Sequence, residues 1–168
     1  MTEPRWPVAE FDPVRRLRVI AATTPGAAIH ERVLDAPLAY VWAVAADLEG
    51  ELPQWLFPDI RSVRLTPTDT QRSIAHVVGH SGLRARFDVV LQPGWCLMQS
   101  RFLIGGMAAA AEDGATRFAF LGGFRGPLRL LTPLTRPLDG PAGRRALARF
   151  TARVDAHGPG PGGLTLPD

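Results

Sequence analysis

The residues of this chain best suited to acid–base or nucleophilic chemistry lie between positions 76 and 101. His76 and His80 are four apart, Ser81 sits in the run Gly79-His80-Ser81-Gly82, and Gln99, Ser100 and Arg101 are consecutive. The Gly-His-Ser-Gly run resembles a nucleophile elbow, but that motif needs a second glycine where this chain has Leu83, and a strand that leads into a helix. A tight turn between two strands fits the run better. His76 and His80 occupy an extended segment with a glycine between them and no third ligand nearby. A metal site needs three or four convergent ligands, so no metal is expected. Cys96 is the single cysteine and lies in an apolar run, which predicts a buried, inert thiol. The stretch 158–163 carries a G-x-G spacing, but a dinucleotide loop needs a strand before it and a helix after it. No cofactor is expected, and residues 158–168 are expected to form a disordered Gly/Pro tail.

Composition excludes several classes. The 168 residues are 46% hydrophobic and 21% charged, which is ordinary for one globular domain. All 19 basic residues are arginine, and the net charge is only +3, so the isoelectric point of 10.3 overstates the basicity. Arginine without lysine, together with abundant Ala, Gly and Pro, matches the bias of GC-rich coding sequence. The arginines are scattered among acids, not clustered on one face with aromatics, and no nucleic-acid partner is expected. No apolar stretch is long enough to cross a bilayer, and residues 1–10 lack the apolar centre of a signal peptide. A cytoplasmic location follows as the expectation.

The elements that must position the candidate residues can be read from periodicity. Residues 1–26 are punctuated by Pro4, Pro7, Pro13 and Pro25 and read as an arm, in which 14–20 is either a short helix or an added edge strand. Residues 28–34 alternate as a strand. Pro37 opens a helix whose apolar face carries Leu38, Val41, Trp42, Ala45 and Leu48, with Trp42 expected to be buried, and Gly50 ends it. A second short helix or turn follows over 52–57. Beyond Pro58 the period changes to two, with strands at 60–66, 72–78, 83–91, 95–104 and 116–124, joined by hairpin turns and therefore consecutive and antiparallel. Residues 107–111 are a further candidate strand, if Gly105-Gly106 bends the chain. A proline-rich stretch over 126–141 precedes a helix from Ala142 to Ala156, with Ala146, Leu147, Phe150 and Val154 on one face and Arg145, Arg149 and Arg153 on the other. The boundaries are thus an arm over 1–26, a domain over 27–157 and a tail over 158–168. One helix cannot fill the concave face of so wide a sheet, which predicts a cavity lined mainly by apolar groups.

The run Arg32-Val33-Leu34-Asp35-Ala36-Pro37-Leu38-Ala39-Tyr40-Val41-Trp42-Ala43-Val44-Ala45-Ala46-Asp47, continued by Trp55, Pro58 and the strand at 60–65, resembles the START/Bet v 1-like (SRPBCC) helix-grip superfamily. The likeness is to its bacterial polyketide cyclase/dehydrase and lipid-transport group, and it spans residues 28–154. It implies an α+β fold in which a curved antiparallel sheet wraps a long C-terminal helix, with two short helices after the first strand. Two departures stand out. Pro133, Pro137 and Gly140-Pro141 are expected to break the first half of the last helix, and the arm has no counterpart in the minimal domain.

The resemblance implies a hydrophobic small-molecule ligand, of lipid, polyketide or terpenoid type, held between sheet and helix. An alternative is a polyketide-type cyclase or dehydratase, in which a few cavity groups act as general acid or base. A further alternative is a regulatory or chaperone-like module for a protein partner, and a homodimer is left open. His76, Arg101 and Ser100 are the catalytic candidates. Phe87, Trp95, Gln99, Phe102, Phe118, Phe120 and Phe150 are the ligand-binding candidates. Strand 95–104 is expected to carry a polar group inward whichever face it buries, either Gln99 with Arg101 or Ser100.

Overall fold

Each element begins for a local reason. Asp12 caps the first helix, α1 (Pro13–Thr23), where its carboxylate accepts the backbone N–H groups of Val14 and Arg15 at 2.7 and 3.3 Å. Pro13 sits in the first turn, where no N–H is required. The structure is a computed structural model and describes residues 12–56, 59–156 and 158, without the side chains of Gln54 and residues 135–139. After α1 come β1 (Ala27–Leu34), α2 (Leu38–Ala46), the single turn α3 (Leu52–Trp55) and six strands. These are β2 (Ile60–Pro67), β3 (Arg72–Gly79), β4 (Arg84–Gln92), β5 (Trp95–Gln99), β6 (Leu103–Glu112) and β7 (Ala115–Phe124). A 3₁₀ segment (Gly126–Leu131) leads into the long α4 (Thr132–Ala156).

The architecture is α+β, with a seven-stranded sheet in the order β1-β7-β6-β5-β4-β3-β2 and every pair antiparallel. Two-residue hairpins drive this. Pro93-Gly94 joins β4 to β5, and Asp113-Gly114 joins β6 to β7 with φ of +48° and +84°, the left-handed pair such a turn favours. The helices α2 and α3 carry the chain from β1 at one edge of the sheet to β2 at the other. A Cβ on Gly123 would lie 2.5 Å from the Gly26 carbonyl oxygen, so the close approach of β1 to β7 requires glycine there.

Both faces of the sheet are covered. On the concave face, α2, α3 and α4 bury Val41, Ala45, Trp55, Leu147 and Phe150 against Phe118 and Met107. On the convex face, α1 lays Val14 and Leu17 on Trp95, Ile104, Ala108, Ala119 and Leu121. Gly106 makes room for that helix, since a Cβ there would meet Leu17 Cδ1 at 2.8 Å. A row of charges ties the same helix down. Glu31 accepts both arms of the Arg18 guanidinium at 2.6 Å and faces Arg117 at 3.5 Å, and Arg117 also pairs with Glu112. The Arg18 hydrogen bonds hold the Glu31 carboxyl below its ordinary value despite partial burial.

Several expectations are corrected by this packing. The open choice for residues 14–20 resolves to a helix, docked on the outer face of the sheet. The strand expected over 95–104 is two strands, broken at Ser100–Phe102 and not at Gly105-Gly106. Ser100 makes that turn: its Oγ accepts the Phe102 and Leu103 N–H groups, and its own N–H bonds the Leu103 carbonyl at 2.8 Å. The last helix starts at Thr132, ten residues before Ala142, and runs through Pro133, Pro137 and Gly140-Pro141. Pro133 falls in the first turn at no cost. The residues that dock this helix on the sheet, Ala146, Leu147, Phe150 and Val154, all follow the prolines. Leu83 precedes β4 and is 77% exposed. Trp42 is half-buried at the margin of the core, whereas Trp55 is fully enclosed. The expected disordered tail at 158–168 lies outside the described residues apart from Gly158, as do residue 57 of the second helix reading and the proline that ends it. Among the described residues, no helix is long and apolar enough to cross a membrane.

Candidate ligand-binding cavity

The space between the sheet and α4 is divided in two. At the middle of β7 it is solid: Phe118 stacks on Phe150 at 4.0 Å between ring centroids, and Trp55 tilts against Phe150 at 4.6 Å. Beside this aromatic block the space is hollow, with a volume of about 460 Å³. Small-molecule sites fall at roughly 300–1,000 Å³. The void has a cause in the sequence. Gly105 and Gly122 are paired across β6 and β7 and both line it, so two neighbouring wall positions carry no side chain. A Cβ on Gly122 would find nothing within 4 Å. The remaining wall is apolar, with Ala75, Val77, Phe87 and Met98 from the sheet and Leu48, Leu52 and Leu56 from the α2–α3 region.

Three nitrogen-bearing side chains, His30, Arg145 and Arg149, reach this wall, and among the described residues no carboxylate does. His30, on β1, stacks at 5.3 Å on Phe120, its cross-strand partner. Above it α4 passes so closely that a Cβ on Gly143 would lie 2.1 Å from His30 Nε2, so glycine at 143 fixes the helix over the imidazole. Arg149 is half-buried; its Nε donates to the Trp55 carbonyl at 2.7 Å and its Nη2 to the Leu56 carbonyl at 3.3 Å. Arg145, one turn earlier, is exposed at the mouth. The three arginines read on the face opposite Ala146, Leu147, Phe150 and Val154 therefore include two that line the cavity. An imidazole can take up or release a proton, and the two guanidiniums supply fixed positive charge.

The residues singled out from the sequence are scattered by the fold. Phe87 and Phe120 line the cavity, while Phe118 and Phe150 belong to the aromatic block next to it. His76 shares a face with Ile74 and Val78, but that face is the outer one, because Ala75 and Val77 point inward. Trp95 also points outward, under α1, where the Arg16 guanidinium lies 3.7 Å from its ring centroid. Gln99, Ser100 and Arg101 do come together, in a separate polar hollow with Asp88 and Arg125. There Arg125 Nη1 donates to Gln99 Oε1 at 3.1 Å, and Ser100 Oγ is occupied by the turn. Phe102 is exposed beside Arg101. Strand β5 thus turns Cys96 and Met98 inward and ends before any polar group can follow. Burial pushes the Cys96 thiol up to about 12. Sequence reasoning missed His30, Arg145 and Arg149. In the alternation of β1, His30 shares a face with Leu34, which is a core residue, and that is the available signal.

No protein-family model matches the sequence, and no curated protein sequence matches it. Solved structures do. The TTHA0849 protein of Thermus thermophilus superposes with a TM-score of 0.57 at 22% identity, over 77% of this chain and 97% of that one. The Zhui aromatase/cyclase of Streptomyces sp. R1128 gives 0.60 at 15% identity, over 82% of this chain and 98% of that one. The di-domain ARO/CYC BexL, from the BE-7585A biosynthetic pathway, gives 0.56 at 13% identity, over 86% of this chain and 55% of that one. At these identities the likeness establishes the architecture: the chain has the helix-grip fold shared with aromatase/cyclase proteins.

Proposed function

We propose that this protein binds a hydrophobic small molecule in the cavity between the sheet and α4. The observation that carries the reading is the apolar volume of about 460 Å³ whose wall carries no side chain at the paired positions Gly105 and Gly122. Unfilled apolar space costs packing energy, and an apolar guest recovers that energy. The walls would supply most of the affinity and the few polar groups the orientation. The test is native mass spectrometry of freshly purified protein, paired with titration by the uncharged fluorophore N-phenyl-1-naphthylamine. A co-purifying lipophilic mass, or saturable fluorescence enhancement at one site per chain, is expected. Protein that is free of any adduct and also fails to enhance the probe sinks the proposal.

A second reading is favoured by His30. It is the one imidazole on the cavity wall among the described residues, and it sits where a ligand carbonyl or acidic carbon could meet it. In a cyclase or dehydratase it would be the proton-transfer group. The likeness to aromatase/cyclases is compatible with this and does not single it out. His30→Gln distinguishes the two: a carrier keeps its ligand affinity within a few-fold, whereas a catalyst loses turnover of a poly-β-ketone substrate.

A further inference from the structure

The charges at the cavity mouth are unbalanced. Arg145, Arg149 and Arg153 are spaced four apart along one face of α4, where like charges repel. Arg153 is neutralised by Glu51, which accepts both arms of its guanidinium at 2.7 Å. Among the described residues Arg149 has only the backbone carbonyls of Trp55 and Leu56. Arg145 has no hydrogen bond or ion pair among the described residues. Among the described residues, then, the two arginines that line the cavity are the two of this row without a carboxylate, and no acid on the lining offsets them. Like charges four apart on a helix repel, and an anion placed between the two guanidiniums relieves that repulsion and adds charge-assisted hydrogen bonds.

We infer that the ligand is an amphipathic anion, whose carboxylate or other anionic oxygen head is held by Arg145 and Arg149 and whose apolar body lies toward Gly105 and Gly122. This rests on the cavity-binding reading and adds the charge of its occupant. The head would sit at the mouth, where Arg145 stays hydrated, so only the body is fully desolvated.

Two fluorophores with the same rings test it. Anilinonaphthalene-8-sulfonate carries an anionic head, and N-phenyl-1-naphthylamine lacks it. Arg145→Gln is expected to weaken the sulfonate probe about tenfold, the scale of one charge-assisted hydrogen bond, and to leave the neutral probe within twofold. Arg144→Gln, one residue away and off the cavity wall, should change neither. Equal loss of both probes in Arg145→Gln, or loss of neither, overturns the anion assignment while the cavity reading stands. So does an Arg144→Gln effect as large as that of Arg145→Gln. If neither probe binds the parent protein, both readings fall together.

Discussion

Gly122→Leu should separate stability from binding in opposite directions. The position lines the cavity and sits directly across from Gly105. Its φ is outside the left-handed region, and a Cβ there would touch nothing within 4 Å, so a side chain enters without strain. Replacing glycine within a strand recovers about 0.5–1 kcal/mol of backbone entropy. Complete burial of leucine adds about 1.5–3 kcal/mol, of which a cavity with an open mouth delivers a fraction. The net expectation is a gain of about 1–2 kcal/mol in urea unfolding. The same side chain occupies the space of the guest. A tenfold loss of affinity is about 1.4 kcal/mol, which corresponds to only about 56 Å² of apolar contact at 25 cal/mol per Å². One leucine displaces at least that much, so N-phenyl-1-naphthylamine should weaken tenfold or more in a fluorescence titration. An unchanged dissociation constant in a stabilised variant would show that the probe sits elsewhere. A stability loss beyond about 1 kcal/mol would show that the space is not open, and the account of the glycine pair would fail.

Three other outcomes follow from the packing. Leu17→Ala, at a fully enclosed position on the sheet-facing side of α1, should cost about 2–5 kcal/mol in a single cooperative transition; a change below about 1 kcal/mol would mean that α1 is not part of the folding unit. Because the Glu31 carboxyl is held below its ordinary value, its ion pairs stabilise the fold above that value and are lost as pH falls through the lowered one. The midpoint of urea unfolding should therefore fall more steeply below about pH 4.5 in the parent than in Glu31→Gln, and parallel curves would contradict the role given to Arg18. Cys96 should resist a thiol reagent such as Ellman's at pH 8 and react fully in guanidinium, since burial pushes its thiol up to about 12 in the folded protein; rapid native reaction would mean that β5 opens readily.

Much of the fold was legible because it is local. Residues 28–34, 60–66, 72–78 and 116–124 alternate strictly enough to be read as strands, and the hairpin residues Pro93-Gly94 and Asp113-Gly114 announce antiparallel neighbours. Legibility failed at β5 and β6. There α1 covers the outer face while the core covers the inner one, so Ile104, Met107, Ala108 and Ala109 are all buried and the period-two signal disappears. At the start of α4 the prolines announce a break, whereas the helix runs on from Thr132 through them.

The candidate site divides along the same line. Composition and periodicity determined that an apolar hollow should lie between a wide sheet and one helix, because strand count and helix count are local sums. Which side chains face that hollow was decided only in three dimensions. His76 and His30 are equally credible in an alternating pattern, and a strand's facing depends on which surface its neighbours bury. Arg145 and Arg149 read only as the helix face opposite Leu147 and Phe150 until α4 is placed against α3. Only then do the carbonyls of Trp55 and Leu56 claim Arg149 and leave Arg145 over the opening. Position along the chain carries residue type and period; the direction of a side chain relative to a cavity belongs to the packing of elements far apart in sequence.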